Sequence, residues 1–157
     1  MNMNDISLER LDRKEYSKTR LMTLMTELDQ IYIPPISSIT DIGTYCDKLI
    51  TYAEVFIMKQ KEDDSGFIAV YANDQEQHCA FISSIGIKQA FRERGIGVLL
   101  INRAVEVARK QGMRRIRLEV NRHNDAALRL YHRYGFSKIA CFVQDKGKDS
   151  LILEKKI

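Results

Sequence analysis

The chain has 157 residues, of which 45% are hydrophobic and 29% charged, and we expect one globular domain over residues 1–157. Its formal net charge of +4, from 25 basic and 21 acidic residues, is too small to indicate nucleic-acid binding by itself. No apolar run approaches the length of a membrane span, and the opening MNMNDISLERLDRKEY lacks an apolar signal region. Composition therefore excludes a membrane-spanning class and predicts a cytoplasmic location by default.

The cysteines and histidines predict neither a disulfide framework nor a metal site. Cys46, Cys79 and Cys141 are scattered and form no C-x-x-C pair, which is typical of thiols in a reducing compartment. The three histidines do not cluster at metal-ligand spacing.

The first third of the chain has a helical pattern. Apolar residues recur at helical spacing over residues 15–32, so a first helix is predicted there. Pro34 and Pro35 must end it, because proline lacks an amide hydrogen and restricts its predecessor. A second helix is expected to start near Thr40 or Asp41. The opening ISLERL is compatible with a short strand or a helix lead-in, and both stay open.

The middle of the chain changes to the two-residue period of strands. Residues 53–60 and 66–73 flank the polar stretch KEDDS, which predicts a hairpin, and residues 78–87 form a third strand. Alternation along this third strand predicts two faces. Cys79, Phe81 and Ser83 share one face, and Ala80, Ile82 and Ser84 share the other.

The last part alternates between helix and strand. We expect a helix over 95–112, a strand over 113–120, a helix over 124–135 capped by Asn124 or Asp125, and a hairpin of residues 136–143 with 150–156. The predicted fold class is α+β. It has a mixed, mostly antiparallel sheet of six to seven strands with helices on both faces.

The stretch RERGIG at residues 92–97 opens the third long helix. A helix N-terminus leaves amides unpaired and is electropositive, and glycines let the backbone approach an anion closely. The stretch therefore predicts a phosphate site. Alternatively, Gly95 and Gly97 only allow a tight strand-to-helix turn. A P-loop is excluded because no Gly-Lys-Ser/Thr follows, and a dinucleotide fingerprint lacks its third glycine because Leu100 stands there.

Two motifs and the element order together resemble the GCN5-related N-acetyltransferase (GNAT) family, chiefly over residues 66–140. The Arg/Gln-x-x-Gly-x-Gly/Ala signature is matched by Arg92, Gly95 and Gly97. The Asn-x-x-Ala-x-x-x-Tyr-x-x-x-Gly-Phe block is matched by Asn124, Ala127, Tyr131, Gly135 and Phe136. The combined spacing is far more specific than either motif alone.

The resemblance implies that acetyl-CoA binds as acetyl donor in a V-shaped gap between the strands at 79–87 and 114–120. The residues expected along its pantetheine arm are Ile85, Gly86 and Ile87. The pyrophosphate would sit on Arg92, Glu93, Arg94, Gly95, Ile96, Gly97 and Val98. Further contacts with the donor are expected from Asn124, Ala127 and Tyr131. Arg122 and Lys88 are further candidates for the adenosine phosphate.

The implied reaction is direct attack of an amine on the thioester in a ternary complex. The Ile85 amide could stabilise the developing oxyanion, and Tyr131 could protonate the leaving thiolate; Tyr131 or Tyr134 could instead be a core residue. Glu119 is the leading candidate for the general base, although an ion pair with a nearby arginine would explain it equally. His78, Asp74 or a base acting through water are alternatives.

In this family the acceptor usually meets the loop between the first two helices and the last hairpin, here residues 30–41 and 144–149. Tyr32, Pro34, Pro35 and Tyr45 give an aromatic and rigid rim. Neither loop is rich in acids, so a small primary amine of amino-sugar or amino-acid type is expected. A protein N terminus or lysine remains an alternative.

Two other functional classes are alternatives to an enzyme. A non-catalytic acyl-CoA-binding regulator is motivated by the strand FISSIGI, which lacks a carboxylate. A nucleic-acid-binding module lacks interleaved aromatics and a reading motif. We therefore expect acetyl-CoA and a small amine as partners, without nucleic acid or membrane, and the sequence leaves a homodimer open.

Overall fold

The computed structural model of the protein describes residues 5–91, 95–139 and 149–157. Its helices are α1 (Glu15–Leu28), α2 (Ile42–Tyr52), α3 (Gly97–Lys110) and α4 (Asp125–Arg133). Its strands are β1 (Ile6–Arg10), β2 (Glu54–Gln60), β3 (Asp63–Tyr71), β4 (Cys79–Ile87), β5 (Arg115–Asn121), β6 (Ser137–Lys138) and β7 (Ser150–Lys156). Short 3₁₀ turns cover Asp29–Ile31, Ile36–Ser38 and Gln89–Phe91.

The strands form a seven-stranded sheet in the order β1-β2-β3-β4-β5-β7-β6. The pair of β4 with β5 is parallel, and the other neighbouring pairs are antiparallel. This confirms the predicted mixed, mostly antiparallel α+β fold. The opening segment, which the sequence left open, is a strand that pairs with β2 from Ile6 opposite Gln60 to Arg10 opposite Phe56.

Each face of the sheet is covered by a pair of helices. On one face, residues of α3 such as Leu100 and Ile101 pack with Ile82 and Ile116 of the central strands. On the other face, the predicted apolar stripe of α1 packs with α2 against β2 and β3. Its residues Leu21, Leu24, Met25 and Leu28 are all buried. Among the described residues, every helix is too short or too polar to span a membrane.

The first hairpin is tighter than predicted. The turn comprises Lys61 and Glu62, and β3 already begins at Asp63, so most of the polar stretch belongs to a strand. The polar side chains find partners there: the Ser65 hydroxyl donates to the Met58 carbonyl at 3.0 Å, and Asp64 accepts two hydrogen bonds from the Arg20 guanidinium. Tertiary contacts thus override the turn preference of these residues.

The prediction that Ser84 shares a face with Ile82 is wrong. Ile82 lies opposite Val70, but Ser84 lies opposite Ala69, so Ser83 is an extra residue on β4 without a partner on β3. Such a β-bulge shifts the two-residue period by one. Ser84 consequently faces the α1–α2 side, where its Oγ lies 3.4 Å from the Tyr32 hydroxyl.

The helix ends follow the capping residues. Asp41 accepts a hydrogen bond from the Thr44 amide at 2.9 Å, and Asn124 accepts one from the Ala127 amide at 3.2 Å. Asn124, rather than Asp125, is therefore the N-cap of α4. Helix α1 ends at Leu28, earlier than predicted, and continues as a 3₁₀ turn. In the last hairpin β6 pairs with β7 as expected, but residues 140–148 lie outside the described ranges.

Candidate active site

The central feature of the candidate site is a gap between β4 and β5. Their parallel pairing runs only from Cys79 opposite Arg115 to Ile82 opposite Leu118. Beyond that point β4 stays paired with β3, and β5 stays paired with β7. The two central strands therefore separate toward their carboxyl ends, as the resemblance implies.

The register of β3 with β4 decides which backbone groups face this gap. The Lys88 amide donates to the Ser65 carbonyl at 2.8 Å. Because hydrogen-bonded and non-hydrogen-bonded pairs alternate along an antiparallel ladder, Gly86 and Ser84 are bonded to β3. Ile85 lies between them, so its N–H and C=O point away from β3 into the gap. Its half-buried side chain packs against the core on the α3 face.

Gly86 has a different environment from its two neighbours. A Cβ atom there would lie 2.3 Å from the Tyr32 hydroxyl and 3.0 Å from the Leu28 Cδ1 atom. The absent side chain thus makes room for Tyr32, which reaches the strand from the α1–α2 loop. A glycine within a strand often marks such a close approach.

The start of α3 lies beside the end of β4. A Cβ atom at Gly97 would be 3.3 Å from the Ile87 Cδ1 atom and 3.5 Å from Leu130 of α4, so the helix is packed closely between these elements. Ile96 anchors the turn in the core with 1% exposure. Gly95 has φ +72°, and space for a Cβ atom there is open.

The amides at this helix start have no acceptor among the described residues. No described side chain caps the helix, and its first turn carries no acidic residue. The first amides of a helix have no intrahelical acceptors and sit at the positive end of its dipole. Gly95, Ile96, Gly97 and Val98 can therefore present N–H groups to an anion. The predicted contacts of Arg92, Glu93 and Arg94 lie outside the described residues.

The two further candidates for a phosphate contact differ in availability. Lys88 forms an ion pair with Glu27 at 2.7 Å, so its charge is already partnered on the α1 side. Arg122 is exposed, and its amide donates to the Asp149 carbonyl at 2.7 Å.

Asn124 and Ala127 are joined by the cap of α4. The Asn124 Oδ1 atom accepts from the Ala127 amide, which leaves the Asn124 side-chain NH₂ as a donor. Ala127 is half-buried and packs on the core of the α3 face. Asn124 can therefore cap α4 and still offer its NH₂ group to a bound acetyl-CoA.

Tyr131 is buried, with 6% exposure, and its ring packs edge-on against Phe136 at a centroid distance of 5.8 Å. Its hydroxyl has no hydrogen-bond partner among the described residues. Burial raises the pKa of Tyr131, so the phenol stays protonated at neutral pH. Tyr134, the alternative, is only half-buried.

Tyr32 reaches β4 from the α1–α2 side of the sheet. Burial raises the pKa of Tyr32, the Ser84 hydrogen bond lowers it, and smaller electrostatic effects of Tyr45, Tyr131 and Asp29 raise it. Its hydroxyl lies 3.4 Å from the Oγ of Ser84, which is two residues beyond the last pair of β4 with β5. The Tyr32 hydroxyl therefore lies near the place where the two strands separate.

Glu119 is the first residue of β5 beyond its pairing with β4. It is half-buried, lies opposite Ile152 of β7, and forms no ion pair with any described residue. The nearby Arg117 instead binds Glu154, with 2.7 Å between its Nε and the carboxylate. The alternative that Glu119 is one half of a structural ion pair therefore finds no support in the described residues.

The alternative bases lie elsewhere. His78 precedes β4 at the opposite end from the gap, and its carbonyl accepts from the Arg114 amide at 2.7 Å. Asp74 accepts hydrogen bonds from the Glu76 and Gln77 amides in the turn before β4. Neither is brought to the place where β4 and β5 separate.

Sequence reasoning identified Tyr45 only as part of an acceptor rim and missed its contact with β4. The Tyr45 hydroxyl lies 2.6 Å from the Ser83 Oγ and 3.3 Å from the Ser83 carbonyl oxygen. Nothing in the local sequence marks this pair, because the two residues are 38 positions apart. Gly86, by contrast, could have indicated the contact with Tyr32, because a glycine inside a strand often marks the close approach of another group.

The sequence model of the acetyltransferase (GNAT) family matches residues 13–136. The chain belongs to the GNAT acetyltransferase family. This confirms the resemblance carried by the two motifs and by the order of elements.

Several GNAT relatives are similar to this chain. An uncharacterised N-acetyltransferase of Methanocaldococcus jannaschii is 36% identical over 87 residues, which cover 53% of this chain and 38% of that protein. A candidate N-acetyltransferase for an alanine of ribosomal protein bS18, from Bacillus subtilis, is 26% identical over 82% of this chain and 89% of its own length. The chain spans about half the length, or less, of two of the curated relatives it matches.

A GNAT fold is also found by comparison of structures. The PaiA N-acetyltransferase of Thermoplasma acidophilum, solved in complex with coenzyme A, superposes with a TM-score of 0.73. It is 19% identical, and the match covers 97% of this chain and 99% of that one. At this identity the match demonstrates a shared fold.

Proposed function

We propose that the chain is an acetyl-CoA-dependent N-acetyltransferase that acetylates a primary amine. The observation that carries the proposal is the gap between β4 and β5 beside the start of α3, which no described side chain caps, in a member of the GNAT family. The coenzyme A bound to the Thermoplasma acidophilum neighbour supports the same donor here.

The donor would be held mainly by backbone. Its pyrophosphate would accept hydrogen bonds from the amides of Gly95, Ile96, Gly97 and Val98, where the helix dipole favours negative charge. Its pantetheine arm would lie in the gap along Ile85 and Ile87. Such a site needs few charged side chains, which suits a helix start without an acidic first turn.

The reaction would proceed by direct attack. The amine nitrogen bonds to the thioester carbon, Glu119 accepts the proton that the amine loses, and the Ile85 N–H stabilises the oxyanion. The carbon–sulfur bond then breaks, and Tyr131 donates a proton to the thiolate. Binding both reactants side by side would supply much of the acceleration.

The acceptor we favour is a small primary amine of amino-sugar or amino-acid type. Two of the rim residues on the acceptor side, Tyr32 and Tyr45, are aromatic, and both lie against β4. A protein N terminus is a second candidate. It is favoured by the Bacillus subtilis relative, whose match covers most of both chains.

The test is release of free coenzyme A thiol from acetyl-CoA over a panel of amines. The panel contains amino sugars, free amino acids and short peptides with a free N terminus, one of them beginning with alanine. Turnover with a small amine supports the favoured acceptor, and turnover restricted to peptides supports the second candidate. Tight binding of coenzyme A without turnover of any amine would contradict the enzyme and support a binding protein.

A further inference from the structure

Tyr45 makes a two-point contact with the backbone and side chain of one residue of β4. Its hydroxyl donates to the Ser83 carbonyl oxygen at 3.3 Å, and the Ser83 Oγ lies 2.6 Å from the same hydroxyl. One proton on each hydroxyl satisfies this arrangement: Tyr45 donates to the carbonyl and accepts from Ser83. Burial raises the pKa of Tyr45, so this donor stays protonated at neutral pH.

Ser83 has no partner on β3 for its backbone groups. It is the extra residue of the bulge, without a counterpart on β3, and it follows Ile82, where the pairing of β4 with β5 ends. A bulge leaves the extra residue outside the ladder, and backbone polar groups removed from water need other partners. The Tyr45 hydroxyl supplies that partner for the carbonyl.

The bulge also sets the direction of the next backbone groups. With the bulge, Ile85 lies opposite Ile68 and points its N–H into the gap. Without it, Ser83 would lie opposite Ala69, and Ile85 would move to the position opposite Phe67. That position is hydrogen-bonded to β3, so the Ile85 N–H would turn away from the gap.

We infer that Tyr45 is a positioning residue: its hydroxyl holds the bulge at Ser83 and so keeps the Ile85 N–H aimed into the gap. The catalytic part of this inference rests on the proposed function, because the group that this N–H would stabilise is the thioester carbonyl. The placement of Tyr45 itself rests on the contacts with Ser83 alone.

The inference is tested with Tyr45→Phe, which keeps the ring and removes the hydroxyl. We expect kcat for acetyl transfer to fall about tenfold, a fraction of the loss seen when an oxyanion donor is removed outright. The dissociation constant for coenzyme A should change less than about twofold, because free coenzyme A lacks the thioester carbonyl that the Ile85 N–H would stabilise. The Ile85 amide resonance in a ¹H–¹⁵N spectrum of the unliganded protein should shift.

Two further variants sharpen the result. Tyr52→Phe is a matched control on the same helix, because Tyr52 is 62% exposed, and it should leave kcat and the Ile85 resonance unchanged. Ser83→Ala should lower kcat as well. In the double variant, kcat should fall by a smaller factor than the product of the two single factors, because both substitutions remove the same contact.

An unshifted Ile85 resonance in a folded Tyr45→Phe protein would overturn the inference. So would equal losses in kcat and in coenzyme A affinity together with a lower melting temperature, which a merely structural role would give. If the wild-type protein acetylates no amine while Tyr45→Phe still shifts the Ile85 resonance, the proposed function fails and the placement of Tyr45 stands.

Discussion

At the scale of single residues, Tyr131 combines a buried ring with a hydroxyl that has no hydrogen-bond partner in the described part of the chain. Tyr131→Phe should lower kcat about 10²-fold while leaving acetyl-CoA affinity nearly unchanged, because general-acid catalysis acts in the transition state. The packing against Phe136 needs only the ring, so thermal stability should be retained. Steady-state kinetics and a donor titration check this, with Tyr134→Phe as the matched control. Equal effects of the two variants on kcat would remove Tyr131 as the acid.

The proposed role of Glu119 as general base can be tested separately. Glu119→Gln should lower kcat at neutral pH about 10²-fold, the scale of a lost general base. The deficit should shrink as the pH approaches the pKa of the acceptor amine, because a neutral amine needs no base. A pH series of kcat measures this. Glu62→Gln is the control, since the Glu62 side chain is 96% exposed; a pH-independent deficit in Glu119→Gln would point to a structural role.

The sequence predicted the local structure around the candidate residues of α4 better than the contacts made by β4. Tyr131 and Asn124 belong to a motif of fixed spacing on one helix, so their placement follows from local structure. The pairing of Tyr45 with Ser83 joins residues 38 positions apart. Only the packing of α2 on the sheet brings these two hydroxyls together.

At the scale of elements, the start of α3 should act as an anion site. Gly95→Asp and Gly95→Asn test this, because both residues have the same size and tolerate a positive φ comparatively well, and the structure leaves space for a side chain. The aspartate should weaken coenzyme A binding at least about tenfold more than the asparagine, through repulsion of the pyrophosphate.

Calorimetric titration of coenzyme A into both variants measures the difference. Stability serves as the internal control, because an acidic group near a helix N-terminus stabilises the helix by about 0.3–1 kcal/mol. Gly95→Asp should therefore unfold no earlier than Gly95→Asn. Equal affinities for coenzyme A would show that phosphate does not bind at this helix start.

The strands and helices were predictable wherever one period ran uninterrupted. The stripe of α1 and the alternation of β5 follow from burial on one face, and both appear in the structure. The bulge at Ser83 was not predictable, because it inserts one residue into a strand whose apolar pattern gives no local sign of it. The polar start of β3 was misjudged because its partners, such as Arg20, lie far away in sequence.

At the scale of the whole molecule, buried and half-buried phenols and thiols link stability to alkaline pH. Burial raises the pKa of Tyr32, Tyr45 and Tyr131 above the ordinary 10.0, and burial raises the pKa of Cys46 from 9.0 to about 12. The folded protein thus keeps protons that the unfolded chain loses. Its free energy of unfolding should fall as the pH rises from 9 through 10 and beyond.

Denaturant titrations between neutral and strongly alkaline pH test this linkage. Tyr131→Phe should show a shallower decline above pH 10, the ordinary pKa of the removed group. Tyr16→Phe is the control, because Tyr16 is 71% exposed and should leave the slope unchanged. Parallel curves for the wild type and Tyr131→Phe would mean that the phenol ionises equally in the folded and unfolded states.

Binding of the donor between β4 and the start of α3 is tested by titrating the ¹⁵N-labelled protein with coenzyme A and monitoring the amide resonances of the protein. We expect saturation at one molecule per chain, with the largest shifts at Ile85 and at Gly95, Ile96, Gly97 and Val98. Shifts centred on another surface, with these amides unmoved at saturation, would rule out this donor site.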